Sequence, residues 1–168
     1  AAGDVIFVGN FSIGEIHERR SLVAYLDACR ARLRPGGVFV CDTYGGESAF
    51  MTGDVHRDHF TPDMARVRYT WEQREADPLT GRVINALHFR VDRAGMVEAE
   101  FPDAFVYDWR LWSVPELRDA MTEAGFASTE VHAKMPDAED GDGNVYMSPV
   151  EAEDLDDSFI VLVASRVP

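Results

Sequence analysis

The opening stretch of the chain constrains its fold most. Asp4-Val5-Ile6-Phe7-Val8-Gly9 reads as an apolar strand and is followed by a polar loop, Asn10-Phe11-Ser12. Leu22, Leu26, Cys29 and Leu33 then recur at spacings of four, three and four, which places them on one stripe of an amphipathic helix. Arg34-Pro35-Gly36-Gly37 ends that helix, because proline removes a backbone donor and glycine accepts left-handed geometry. A second apolar strand, Val38-Phe39-Val40-Cys41, runs into Asp42. A strand–helix–strand unit of this length predicts two parallel strands joined by a right-handed crossover.

Asp4 at the head of the first strand, and Leu33-Arg34-Pro35-Gly36-Gly37 before the second, resemble the fourth and fifth strands of a class I S-adenosylmethionine-dependent methyltransferase. The later order agrees with the resemblance. A helix is expected at Ser113–Ala124, a strand near Ser128–His132 and a last strand at Phe159–Ala164. The resemblance implies an α/β fold, the C-terminal part of a doubly wound, Rossmann-like sheet. It implies one partial domain over residues 1–168, with an antiparallel β cap inserted at residues 45–112.

The family's glycine-rich turn, and the acidic residue that holds the ribose, have no counterpart in these residues. The resemblance places both upstream of Ala1 and makes the sequence the C-terminal portion of a longer protein. These residues alone are then expected to bind the cofactor weakly, which calorimetry measures directly.

Within the insertion, Val67, Tyr69 and Trp71 alternate with Arg68, Thr70 and Glu72, the period of a strand. Asp77-Pro78-Leu79-Thr80-Gly81 supplies a turn, and Asn85, Leu87, Phe89 and Val91 alternate with Ala86, His88 and Arg90. A third strand is expected over Ala104–Leu111, with Phe105, Tyr107, Trp109 and Leu111 on one side. A three-stranded antiparallel layer follows, expected over the carboxyl ends of the parallel strands, where open α/β sheets bind ligands. Ser113-Val114-Pro115-Glu116 is a capping box, and Gly125 closes the helix that it opens.

A formal charge of −14 argues against a sequence-independent grip on nucleic acid or anionic lipid. No apolar run approaches the roughly 20 residues that span a bilayer. Cys29 and Cys41 fall on the helix stripe and the second strand, and read as reduced core thiols of a cytoplasmic protein. Lys134 is the only lysine among many arginines, which reads as a composition bias.

The resemblance implies S-adenosylmethionine as cofactor and a small molecule as methyl acceptor. Methyl transfer from a sulfonium is an in-line displacement on an already reactive carbon, so no triad or carboxylate pair is required, and none is visible. The loop after the first strand, Asn10, Phe11 and Ser12, borders the methionine part of the cofactor by resemblance. Tyr44 follows Asp42 near the expected transfer point, and a packed aromatic is its plainer reading. Arg110 suits a carboxylate or phosphate clamp, against a structural ion pair with Asp108 or Glu116. Trp109 and Trp112 are pocket candidates, although tryptophans so placed are more often core. No metal is expected. His56 and His59 have the spacing of two ligands on a helix but lack a third, and read as a solvated loop. Asp140, Asp142, Asn144 and Glu151 match calcium-loop positions, but Val145 replaces the needed glycine and Pro149 interrupts the loop. The run Glu151–Asp157 reads as solvated.

Two rival classes stand beside methyl transfer. A non-catalytic module would dock a partner, a second copy or an upstream half through the open edge of its first strand. A nucleotide-dependent dehydrogenase would need a glycine fingerprint that these residues lack.

Overall fold

The computed structural model describes residues 2–155 and 157–168. The elements in chain order are β1 (Gly3–Val8), α1 (Arg19–Arg30), β2 (Leu33–Gly45), β3 (Gly53–Phe60), β4 (Arg66–Asp77), β5 (Arg82–Arg93) and β6 (Met96–Arg110). They continue with α2 (Val114–Glu123), β7 (Ser128–Ala133), β8 (Ala138–Glu139), β9 (Val145–Tyr146) and β10 (Phe159–Arg166). The chain divides into two compact units: Ala1–Ala49 with Leu111–Pro168, and Phe50–Arg110. No helix among the described residues is long and apolar enough to cross a membrane.

The first unit is built on a sheet of order β1-β2-β10-β7. β1 and β2 run parallel, with Val5 opposite Val38 and Val8 opposite Cys41, as the strand–helix–strand reading requires. β10 is antiparallel to both β2 and β7, so those two strands run in the same direction. Leu22, Leu26 and Cys29 of α1 are buried with Phe39, Leu117, Met121 and Val163 in one apolar core. Burying side chains of this size is worth about 1.5–3 kcal/mol each.

The end of α1 differs from the expectation. The helix stops at Arg30, and Leu33 is already the first residue of β2. Gly3 pairs with Leu33 and Val5 with Val38, so the Arg34–Gly37 stretch bulges out between them. Gly36, at φ 76°, makes the bulge without a Cβ penalty. Asp4 is held across the bulge by Arg34, at 3.1 Å.

α2 starts at the expected capping box: the Glu116 N–H donates to Ser113 Oγ, and the Ser113 N–H donates to the Glu116 carboxylate. Just ahead of it, Trp112 is 1% exposed, and its indole N–H donates to the Ile16 carbonyl at 2.8 Å. Its own carbonyl accepts the Thr43 hydroxyl at 2.9 Å.

Between β7 and β10, β8 and β9 form a small hairpin. Asp140 accepts the N–H groups of Asp142 and Asn144 there, each at 2.9 Å. The carboxylate that matched the head of a calcium loop is thus used to close its own turn. Asp156, in the acidic run that follows, lies outside the described residues.

The second unit is an antiparallel sheet of order β3-β4-β5-β6, four strands where three were expected. The unforeseen strand, β3, carries His56-Arg57-Asp58-His59 and is exposed throughout. An edge strand has little apolar patterning to announce it, because its ladder partners rather than its side chains hold it. On a strand, residues three apart face opposite ways, so His56 and His59 cannot ligate one ion together. β6 is also longer than predicted and begins at Met96.

The sheet's two faces differ in chemistry. One carries a row of aromatic rings, from Tyr69 and Phe89 (5.5 Å) through Phe105 to Tyr107 and Trp109 (4.5 Å, stacked). The other carries ion pairs, across strands between Arg68 and Asp58 at 3.0 Å, Arg66 and Asp92 at 2.6 Å, and Arg82 and Asp108, and along β5 between Arg90 and Asp92 at 2.8 Å.

Candidate functional site

The site grows from the carboxyl ends of β1 and β2. β1 ends at Val8, and two residues later the chain adopts left-handed geometry twice in succession, at Asn10 (φ 59°) and Phe11 (φ 57°). Neither residue is glycine, and such conformations cost on the order of 1–3 kcal/mol each unless surrounding groups enforce them. Asp42 enforces them. It follows Cys41, the partner of Val8, on β2. Its carboxylate accepts the Asn10 N–H at 3.1 Å and the Phe11 N–H at 2.7 Å. Consecutive N–H groups turned toward one anion form a backbone nest, here filled by the protein's own carboxylate.

A cation completes the arrangement. Lys134, the residue after β7, places Nζ 3.4 Å from Asp42 Oδ2 and 4.6 Å from the centroid of the Phe11 ring. The Asp42 side chain is 2% exposed and that of Lys134 37%, so the pair has one buried and one wet member. Phe11 meets Tyr44 edge-on, at 5.1 Å between centroids and 73° between planes.

Three of the residues singled out from sequence therefore meet at this corner: Asn10, Phe11 and Tyr44. Ser12 stands beside them, exposed, at the start of a short 3-10 turn. Asn10 and Ser12 carry exposed polar side chains, whereas Phe11 is buried, with its ring met by the Lys134 ammonium and by Tyr44. Asp42 and Lys134 were not foreseen as site residues. Their signals were an aspartate directly after an apolar strand and a lone lysine in an arginine-rich chain.

The remaining candidates are Trp112 in the first unit and Trp109 and Arg110 in the second. Trp112 belongs to the core of the first unit, where its indole N–H donates to the Ile16 carbonyl and its carbonyl accepts the Thr43 hydroxyl. Trp109 and Arg110 belong to the second unit. Trp109 is 2% exposed between Tyr107 and Trp71, and Arg110 is half-buried at the end of β6.

Glu72, His88 and Asp103, in the second unit, lie close enough together to suggest a metal centre. Their donor atoms are already engaged. Arg74 bonds both carboxylates, at 2.7 and 2.6 Å, and the His88 nitrogens face Glu72 and the Asp103 N–H.

No protein-family model matches the chain, and no curated protein does. Solved structures do. DesVI of Streptomyces venezuelae is 20% identical, with a TM-score of 0.66, over 99% of this chain and 59% of that protein. CalS10, an amino pentose methyltransferase of Micromonospora echinaspora involved in calicheamicin biosynthesis, is 16% identical with a TM-score of 0.62, over 99% and 59%. A S-adenosylmethionine-dependent methyltransferase of Clostridium acetobutylicum ATCC 824 is 16% identical with a TM-score of 0.61, over 99% and 58%. The chain thus spans less than two thirds of the length of the structures it matches. At these identities the likeness speaks to architecture, and the chain has the α/β fold of S-adenosylmethionine-dependent methyltransferases.

Proposed function

We propose that the protein transfers a methyl group from S-adenosylmethionine to a small-molecule acceptor. The observation that carries this reading is the left-handed Asn10–Phe11 turn, held on Asp42 at the carboxyl ends of two parallel strands. Strained non-glycine backbone that a buried carboxylate must enforce marks a site kept for more than folding. Open α/β sheets take their ligands at this end.

The cofactor would supply an activated methyl carbon. The protein's part is to align and to exclude water. Asn10, Phe11 and Ser12 would border the methionine moiety, and the Asp42 nest would keep their backbone in one shape. Tyr44 would border the transfer point. An amine acceptor that arrives unprotonated needs no base; a protonated one must first lose its proton. The amino pentose methyltransferase among the similar structures makes amino sugars the first acceptors to try. Trp109 and Arg110 are proposed acceptor contacts, to be tested by substitution.

The test is mass spectrometry of the protein as isolated from its source, with methyl-labelled S-adenosylmethionine and a pool of amino sugars and other metabolites. A labelled, methylated small molecule is expected. Failure to bind the cofactor and to label any acceptor would overturn the reading.

One observation favours a second reading, a docking module. β1 is an edge strand, and Val5 and Phe7 on it are 63% and 61% exposed. Val5→Lys with Phe7→Lys separates the two: loss of a partner with methyl transfer intact assigns docking to this edge.

A further inference from the structure

Asn85 lies in the middle of β5, on the aromatic face of the second unit, and is fully buried. Its Oδ1 accepts the Trp71 indole N–H at 2.8 Å. That bond fixes which way the amide points. Turning it over would set an NH2 group against an indole that can only donate. Nδ2 therefore carries two N–H donors, and it is the one buried side-chain nitrogen or oxygen among the described residues that lacks a partner. Buried donors are bonded in the great majority of proteins, so an orphan asks for a ligand or a water.

Its surroundings say which ligand. Gln73 and Tyr107 stand opposite Asn85 on the neighbouring strands. The Gln73 amide already donates to the Met51 carbonyl, at 2.8 Å. Tyr107 stacks on Trp109, and Trp109 lies 5.9 Å from Trp71. Strand alternation puts Glu72, His88 and Asp108 on the opposite face. A neutral donor flanked by rings suits a neutral oxygen acceptor, a hydroxyl or carbonyl. The rings suit the C–H faces of a saturated ring. We infer that the Asn85 amide is the recognition donor for a hydroxylated ring ligand of the sugar type. The inference rests on the reading that the protein acts on a small-molecule acceptor, and it names the group that reads that molecule.

The experiment is a nitrogen-15 NMR titration of the 168-residue chain with methyl α-glucopyranoside, methyl β-xylopyranoside and a methyl aminoglycoside. The signals followed are the Asn85 side-chain amide and the indoles of Trp71, Trp109 and Trp112. Saturable shifts of Asn85, Trp71 and Trp109 are expected, with Trp112, buried in the first unit's core, as the unshifted reference.

Asn85→Asp keeps the acceptor for Trp71 and removes the donor. Asn85→Leu removes both at similar volume. Each is expected to weaken binding by about tenfold or more, the worth of one such bond, with thermal melting reporting whether the fold is kept. The inference is overturned if no glycoside moves the Asn85 amide, if a folded variant binds as tightly as the parent, or if the amide protons contact only a long-lived water. Acceptor methylation with an unchanged KM in Asn85→Leu would sink the inference and leave methyl transfer standing. Glycoside binding through Asn85 in a protein that methylates nothing would do the reverse.

Discussion

In the first unit two helices lay their apolar stripes on a mixed sheet, and Asp42 is a charged residue buried beside that core. In the second unit an antiparallel sheet has no helix of its own; one face is tied by arginine–carboxylate pairs and the other is paved with rings. Each unit buries a polar side chain, and the two differ in how it is satisfied. At Asp42 a carboxylate accepts from three donors, two backbone N–H groups and an ammonium. At Asn85 a donor has nothing to give to. A protein folding for stability alone needs neither, and the contrast suggests one corner that shapes backbone and another that reads a ligand.

The largest effect should come from breaking the first of these. Asp42→Ala leaves two N–H groups and a lysine facing a vacated position. It is expected to cost about 3–5 kcal/mol, the range for removing one partner of a buried charge cluster, read from urea unfolding. Asp42→Asn keeps one acceptor oxygen and should lose less. Equal losses would mean that charge rather than hydrogen bonding holds the Asn10–Phe11 turn.

Next in size is Trp112→Phe. It keeps most of the apolar volume but strips the Ile16 carbonyl of its donor. A loss of about 1–3 kcal/mol is expected, the cost of an orphaned buried polar group, with cofactor and glycoside binding unchanged. A selective loss of ligand binding would return Trp112 to the site.

How far the fold was legible follows from the range over which each signal acts. The β1–α1–β2 unit and the α2 cap could be read because strand runs, a helix stripe and a capping box are local patterns. The aromatic alternation of β4, β5 and β6 could be read for the same reason, and it set Asn85 on the face of Leu87, Phe89 and Val91. A polar residue on an apolar face was a visible but unread clue. β3 escaped because an exposed edge strand shows no apolar alternation. The role of Asp42 escaped because its partners are distant in sequence: Asn10 and Phe11 precede it by 32 and 31 residues, and Lys134 follows 92 residues later. Only the packing of β7 against β10, and of β10 against β2, brings that lysine to the carboxylate.

Lys134→Met sharpens the comparison at a smaller scale. It removes the ammonium and keeps an unbranched side chain over Phe11. The carboxylate retains both N–H donors, so the expected cost is about 1 kcal/mol, typical of a half-exposed cation–π and ion-pair contact. A cost as large as that of Asp42→Ala would make lysine, not the nest, the element that holds the turn.

The last contrast lies in pH. In the second unit, hydrogen bonds from arginine hold carboxyls below their usual range: Arg68 at Asp58, Arg74 at Glu72 and Asp103, and Arg66 at Asp92. A carboxyl depressed in the folded state contributes stability above its unfolded pKa, near 4, and loses it as pH falls through the lower folded value. In the first unit the shifts are mostly upward and come from burial: Tyr25 is pushed up to about 12, and the Cys29 and Cys41 thiols rise as well. Stability from these groups is complete below their unfolded pKa values and is lost as pH rises through the folded ones. Asp140, held down by Asn144, is an exception in this unit. Acid should therefore loosen the second unit before the first. The indole N–H signals report each one, Trp71 and Trp109 for the second unit and Trp112 for the first. On acidification the first two are expected to leave their native positions at a higher pH than the third. Simultaneous loss of all three would show that the units unfold as one, and the contrast drawn from their charges would not govern the acid limb.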